Sequence, residues 1–565
     1  MSALLLVVAV LAAEPAPEVK GEAKARMQNL EQALNDWDLE GARVELAELA
    51  KLAPADSAPL AYFEGRVAFE EGRYDDAVER LTRAGISDKT GTWLTLAQQT
   101  RDVVGHHERI ESEHFVFLYA KGSKDQALAN WALDALEHQR AALEKDLGYV
   151  PPGKIRIEFV GSAGELSKVS TLSKEAIRTT GTIAICKFNK LMVTSPRAVI
   201  MGYDWLDTVA HEYTHLVISK KSHNTVPIWM HEGLAKYLES RWRGPYGGAM
   251  TPSTLALLGS RVRANTLVPF EKMHPSMALL PTAEDAATAF AEVFFAIELI
   301  HQQGPDSLSR LLDKMASGVT DRVAVEAVTT RKWPEFEKAW MAHLRKQPFP
   351  RALIPRSSNE KKELAEHQGE QDKKKSHREV SFGDFKEVTE VDARRDAHLG
   401  ELYRERQRMG AAAEAYARAW KVAGDKYESV SNKYALTLLE LKRFDEAEKV
   451  LEGSLTMHPG SASTNVHLGR IRLRARAWKR ATQAYLDALA VNPFDPEVFV
   501  ALYAAASASG DPALAARALA GARLLLKLDD KQVAEVARRF VRNEDLSDVD
   551  LSTPAATSAP APDAG

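Results

Sequence analysis

Apolar residues recur with helical spacing along two stretches of this chain, and between those stretches the pattern changes to alternation. The C-terminal stretch has the clearest register. Pro459 and Pro493 lie 34 residues apart, and Ala447, Ala481 and Ala515 repeat with the same period. Leu468-Gly469 precedes Ala481, and Tyr485 and Ala488 follow it, a bulky and then a small residue. A further copy, one residue out of phase, carries Leu399-Gly400, Ala412, Tyr416 and Ala419. Small residues let paired helices approach closely, and bulky ones fill the gaps between pairs. Near the N-terminus, Gly65, Arg73-Tyr74, Ala77, Leu81 and Ala84 fit one such unit, with Ala42 and Pro54 marking a looser one before it.

The middle of the chain reads differently. Residues 114–119 form a short apolar run with aromatics, as in a strand, and 131–147 has helical period. Ile155, Ile157 and Phe159 alternate with Lys154, Arg156 and Glu158, which predicts a half-buried strand. Residues 182–188 and 190–194 predict two more strands around a tight turn, the second either an edge open to an extended substrate or a strand of the sheet core. From there the pattern is helical to about Gln347. Strands followed by helices define an α+β domain. Residues 348–392 read as a linker, because 357–377 is too rich in Lys, Glu and Gln to bury a core. A helix near 532–541 is expected to cap the array, before a disordered tail.

Residues 3–13 form an unbroken apolar run of signal-peptide length ending in small residues, although no Lys or Arg precedes it. This predicts an exported protein, periplasmic or secreted, with a signal peptide at 1–13. No other segment approaches the roughly 18 apolar residues of a membrane span. The single cysteine, Cys186, excludes an intrachain disulfide framework. A net charge of -4 with a pI near 6.5 gives no electrostatic case for nucleic acid.

Chemistry is concentrated in His211-Glu212-Tyr213-Thr214-His215 and in Glu232, seventeen residues later. Two histidines four apart share one helix face, where both imidazoles can bind one metal ion. Leu206, Val209, Tyr213, Leu216 and Val217 form the apolar stripe on the other side, with Asp204 as N-cap and Asp207 near the helix start. Glu212, offset by one residue, is placed beside the ion to move protons. Glu232 supplies a third ligand from a helix starting near Pro227, and Glu239 on the same face can reach back to a ligand histidine. Three protein ligands leave one position open, as in catalytic zinc sites. His223 and His231 are weaker candidates as ligands.

The segment Trp229-Met230-His231-Glu232-Gly233-Leu234-Ala235-Lys236-Tyr237-Leu238-Glu239 resembles the one carrying the glutamate ligand in gluzincin metallopeptidases. Aminopeptidase N-type enzymes place a Trp, Glu-Gly, a small residue, an aromatic and a further Glu similarly. The resemblance is closest to the peptidase MA-like branch, whose members are often exported and fused to tetratricopeptide (TPR) repeats; the 34-residue period is itself TPR-like. It implies one Zn2+ held by His211, His215 and Glu232, with Glu212 as general base. Lys236 stands where thermolysin-like enzymes have Asp, and Lys221 excludes a metzincin. Tyr237, Tyr246 and His231 are the candidates for the oxyanion donor of such enzymes, since Phe290, expected to open a later helix, stands where relatives often carry Tyr.

The expected architecture is an α+β zincin-like metallopeptidase domain flanked by all-α TPR superhelical arrays. Its divisions are 1–13, TPR-like helices over 23–104, the peptidase domain over 110–347, the linker 348–392, the TPR array 393–528, a capping helix 529–545 and a tail 546–565. The expected partners are a peptide or protein substrate and a protein bound by the array. The alternative is an exported TPR scaffold with a catalytically silent, vestigial metal site.

Overall fold

The computed structural model describes residues 21–85, 93–199, 202–244, 246–247, 250–277, 280–350, 385–542, 544, 546, 548–549 and 551. The signal peptide, most of the linker and most of the tail lie outside the described residues.

The N-terminal stretch folds into α1 (Gly21–Asn35), α2 (Leu39–Leu52), α3 (Ala58–Glu70), α4 (Tyr74–Ala84) and α5 (Trp93–Val104). The first four pack as two hairpins, with Ala42 fully buried in the first. A mixed sheet follows, built from β1 (Glu108–Glu111), β2 (Phe115–Tyr119), β3 (Ile155–Val160), β4 (Ala184–Lys187) and β5 (Lys190–Thr194) in the order β1-β2-β3-β5-β4. The crossover α6 (Ala129–Leu147) joins β2 to its parallel neighbour β3, and α7 (Ala163–Val169) and α8 (Lys174–Thr180) precede β4. Phe188 and Asn189 both have positive φ, +56° and +53°, which matches a two-residue hairpin turn to the twist of its strands.

One open strand assignment is decided here and one expectation corrected. β5 lies between β3 and β4, so residues 190–194 are a core strand and the edge on that side is β4. β3 is not half-buried, because the N-terminal helices cover its polar face. There Lys190 Nζ lies 2.7 Å from both Glu158 and the Tyr74 hydroxyl, and Arg156 donates to Glu158 at 3.0 Å and to Tyr74 at 2.6 Å. Burial alone would raise the Glu158 carboxyl, but Lys190 and Arg156 hold it at about 2. Burial and the Arg156 charge lower Lys190 to about 8. Alternation in sequence marked the charged residues as solvent-facing; it could not show which helices would cover them.

The helical half of the domain comprises α9 (Trp205–Lys221), α10 (Ile228–Leu238), α11 (Pro252–Ala264), α12 (Ala283–His301), α13 (Ser307–Ala316), α14 (Asp321–Thr329) and α15 (Trp333–Lys346). The stripe of α9 is buried, with Tyr213 edge-on to Phe115 at 5.0 Å between centroids. Asp204 sits at the N-cap position, but its side chain makes no capping bond to the helix. Phe290 lies inside α12; the helix begins seven residues earlier because Thr282 caps it by accepting from Asp285 N.

The C-terminal stretch forms four hairpins: α16 (Val391–Glu405) with α17 (Met409–Ala423), α18 (Glu428–Glu440) with α19 (Phe444–Met457), α20 (Ala462–Arg474) with α21 (Trp478–Leu489), and α22 (Pro496–Ser509) with α23 (Pro512–Leu526). A last helix, α24 (Asp530–Arg542), packs on α22. Gly400 faces the ring of Tyr416 and Gly469 that of Tyr485, the small-against-bulky pairing of the sequence period. On this array Arg472 and Arg480 pair with Glu448 and Glu452, and Arg470 with Glu497. Among the described residues no helix is long and apolar enough to cross a membrane.

The array does not hang free of the central domain. The first two hairpins share a core with Leu468, Ile471 and Ala484 of the third, whereas Tyr485, Leu489, Phe499 and Leu502 of the last two share another with Trp205 and Val209. Trp205 donates through Nε1 to Leu489 O at 3.0 Å and through its backbone N to Ala490 O at 3.2 Å. Tyr203 N donates to Val491 O at 3.2 Å. Gly202 makes this seam possible. It has φ +69°, and a Cβ there would stand 2.2 Å from Val491 O. A Gly202→Ala chain is expected to be destabilised by about 1–3 kcal/mol from the backbone strain alone, read as a lower Tm and faster proteolysis at the seam. An unchanged melting curve would show that the seam is not tight.

Candidate metal centre

Two helices converge to form the site. On α9, the 3.6-residue period points His211 and His215 the same way one turn apart, with ring planes at 90° and centroids 4.6 Å apart. On α10, Glu232 projects towards them, and its Oε2 lies 3.5 Å from Nε2 of each histidine. The three ligand atoms all lie within 4.8 Å of one another. Zinc bonds of 2.0–2.2 Å at tetrahedral angles separate donors by roughly 3.3–3.6 Å, so the observed donor set and spacing fit such an ion.

Small residues allow this approach. Gly233, beside the carboxylate, packs against α12, where a Cβ would stand 2.8 Å from Ile297 Cγ1 and 3.0 Å from Val293 O. Gln139 of α6 ties the two helices together from below. Its fully buried side chain donates to Thr214 Oγ1 at 3.0 Å on α9 and to Leu238 O at 2.9 Å on α10. The sequence reading missed Gln139; its signal was a lone amide on the apolar face of 131–147.

Electrostatics divide the acids. For Glu232, burial raises the pKa, but His215 and His211 outweigh it and hold the carboxylate well below its ordinary range. Glu239 Oε2 lies 3.0 Å from His211 Nδ1 and the same carboxylate pairs with Lys236, so it stays ionised with a pKa of about 2 despite burial. Burial would lower His211, yet its bonds to Glu232 and Glu239 lift it to about 10 in the metal-free chain. Glu212 behaves differently. Burial raises it above the ordinary carboxylate value, against the pull of His215 and His211. It also accepts a hydrogen bond from the backbone N–H of Cys186 on the edge strand β4, a contact the sequence did not reveal.

The remaining candidates point elsewhere. The Tyr237 hydroxyl lies 2.9 Å from His301 Nδ1, and the Tyr246 hydroxyl donates to Asp146 at 2.8 Å. Their rings stack on each other with centroids 5.5 Å apart. His231 Nδ1 lies 2.6 Å from His215 Nδ1, and its Nε2 lies 3.0 Å from Ser219 Oγ. Asp207, expected near the helix start, is mostly buried and accepts from Trp242 Nε1 at 2.8 Å; burial pushes its carboxyl up to about 7.

Residues 138–346 match the family model described as the Peptidase MA superfamily. The chain therefore carries a peptidase MA domain, with TPR-like helical hairpins on both sides of it. No curated protein matches the chain. Similar solved structures include MamA, at 16% identity over 27% of this chain and 88% of MamA, with a TM-score of 0.23. The Cut9-Hcn1 hetero-tetramer of the APC/C matches at 11% identity over 93% of this chain and 83% of its own, with a TM-score of 0.26. Yeast Tom70 matches at 11% identity over 93% and 97%, with a TM-score of 0.19. These superpositions are loose, and the repeat architecture rests on the paired helices themselves.

Proposed function

We propose that the chain is an exported zinc metallopeptidase of the gluzincin type, whose C-terminal array binds a protein partner or substrate. The observation that carries this reading is the convergence of His211, His215 and Glu232, with Glu212 beside them. When bound, zinc would polarise the scissile carbonyl and make water more acidic. His211, His215 and Glu232 would hold it. Glu212 takes the proton from the attacking water and delivers it to the leaving amine. Among the described residues no strand pairs with the outer side of β4, next to Glu212, and an extended peptide would add there.

The test is metal content followed by hydrolysis of a peptide library. One zinc per chain is expected, and peptide cleavage that chelator abolishes. His215→Ala should lose most of the metal, since it removes one of three ligands. A His215→Ala chain that keeps stoichiometric zinc would refute the assigned site. One observation favours the second reading, a silent scaffold: the hydroxyls of Tyr237 and Tyr246 are committed to His301 and Asp146. Zinc binding without hydrolysis across a broad library would establish that reading.

A further inference from the structure

We infer that His231, with Ser219 behind it, is a positioning residue that fixes the proton of His215 on Nδ1 and so presents Nε2 as a metal donor. The inference rests on the zinc reading above.

The geometry identifies a hydrogen bond between the two imidazoles. Their Nδ1 atoms are 2.6 Å apart, the ring planes differ by 29°, and the centroids are 4.6 Å apart. Stacked rings do not bring ring atoms that close, whereas nearly coplanar rings meeting edge to edge do, with a hydrogen between the nitrogens.

Two proton arrangements satisfy that bond, and only one is compatible with the metal. If His231 donated, neutral His215 would carry its proton on Nε2, the nitrogen that faces Glu232 at 3.5 Å. That proton would occupy the position of the ion. If His215 donates, its Nε2 is free, and His231 Nδ1 must be the acceptor. Neutral His231 then carries its own proton on Nε2, which is 3.0 Å from Ser219 Oγ and donates there. Ser219 stands one turn beyond His215 on α9, so a single helix carries both ends of the chain of bonds. His211 is oriented by Glu239 instead. The two ligand histidines are therefore held by different means, one by a carboxylate and one by a neutral imidazole.

The test uses isosteric replacements in the full chain, with zinc affinity measured by competition against a chromogenic chelator. Asparagine places Oδ1 where His231 has Nδ1, and leucine places a methyl group there. His231→Leu is expected to weaken zinc binding about 10–100-fold. His231→Asn, which restores the acceptor, is expected to stay within about threefold of wild type. Equal affinity for His231→Leu and wild type would overturn the proposal, as would equal losses in both variants, which would indicate packing alone. If the leucine variant fails to fold, Ser219→Ala carries the test, with a severalfold loss expected and no change overturning it. Wild-type protein that binds no zinc would instead refute the zinc reading itself.

Discussion

Glu212→Gln is expected to leave zinc binding intact and to lower the hydrolytic kcat by about 10²–10⁴-fold, the usual contribution of a positioned proton-transfer group. The two side chains are nearly the same shape. A glutamine oxygen still accepts from the Cys186 N–H that anchors Glu212, so the fold and the neighbouring ligands have no cause to move. What disappears is the carboxylate basicity that lets the side chain hold a proton between water and amine. Glu212 is buried among charged neighbours, and its pKa is raised by that burial. The comparison therefore needs metal analysis on the same preparations. Equal zinc with strongly reduced turnover supports the assigned role. Equal zinc with equal turnover would mean that another group moves the proton.

Glu158→Gln is expected to destabilise the chain by about 3–5 kcal/mol, because removing one partner leaves buried charge uncompensated. Lys190 and Arg156 both face this carboxylate beneath α3 and α4, and Lys190 and Glu158 are fully buried. The effect should also change with pH. The Glu158 pKa is about 2 in the folded chain against an ordinary 4.5, so the carboxylate contributes stability above about pH 4.5 that is lost as pH falls towards 2. That contribution is about 3 kcal/mol at roughly 1.4 kcal/mol per pKa unit. Denaturant unfolding of both chains between pH 3 and 7 measures it, and the gap between them should narrow on the acid side. A constant gap would show that the charge network is not the source of the difference.

These two residues differ in how far the sequence revealed them. The position of Glu212 was legible because it is local: a helix fixes which residues share a face, so the spacing of His211 and His215 placed Glu212 beside them. Glu232 required a second helix, and its Trp229 to Glu239 context supplied it. The repeats were legible for a related reason. Gly400 and Gly469 must admit the rings of Tyr416 and Tyr485, and that demand returns with each hairpin. Glu158 was misread because its surroundings are set by α3 and α4, some eighty residues earlier in the chain. β5 was left undecided because apolar content does not distinguish a core strand from an edge. His231 was considered as a ligand or an oxyanion donor, and its actual neighbours, His215 and Ser219, depend on a side-chain direction that residue spacing alone does not give.

The seam at Tyr203 and Trp205 has a thermodynamic consequence. Main-chain bonds cross it, and one apolar interior continues through it, so the last two hairpins and the central domain should melt as a single cooperative block. The first two hairpins share a second interior with only the inner face of the third, at Leu468, Ile471 and Ala484, so they can open at a smaller cost while that block stays closed. Among the described residues the boundary between the two interiors thus falls inside the repeat array, within its third hairpin.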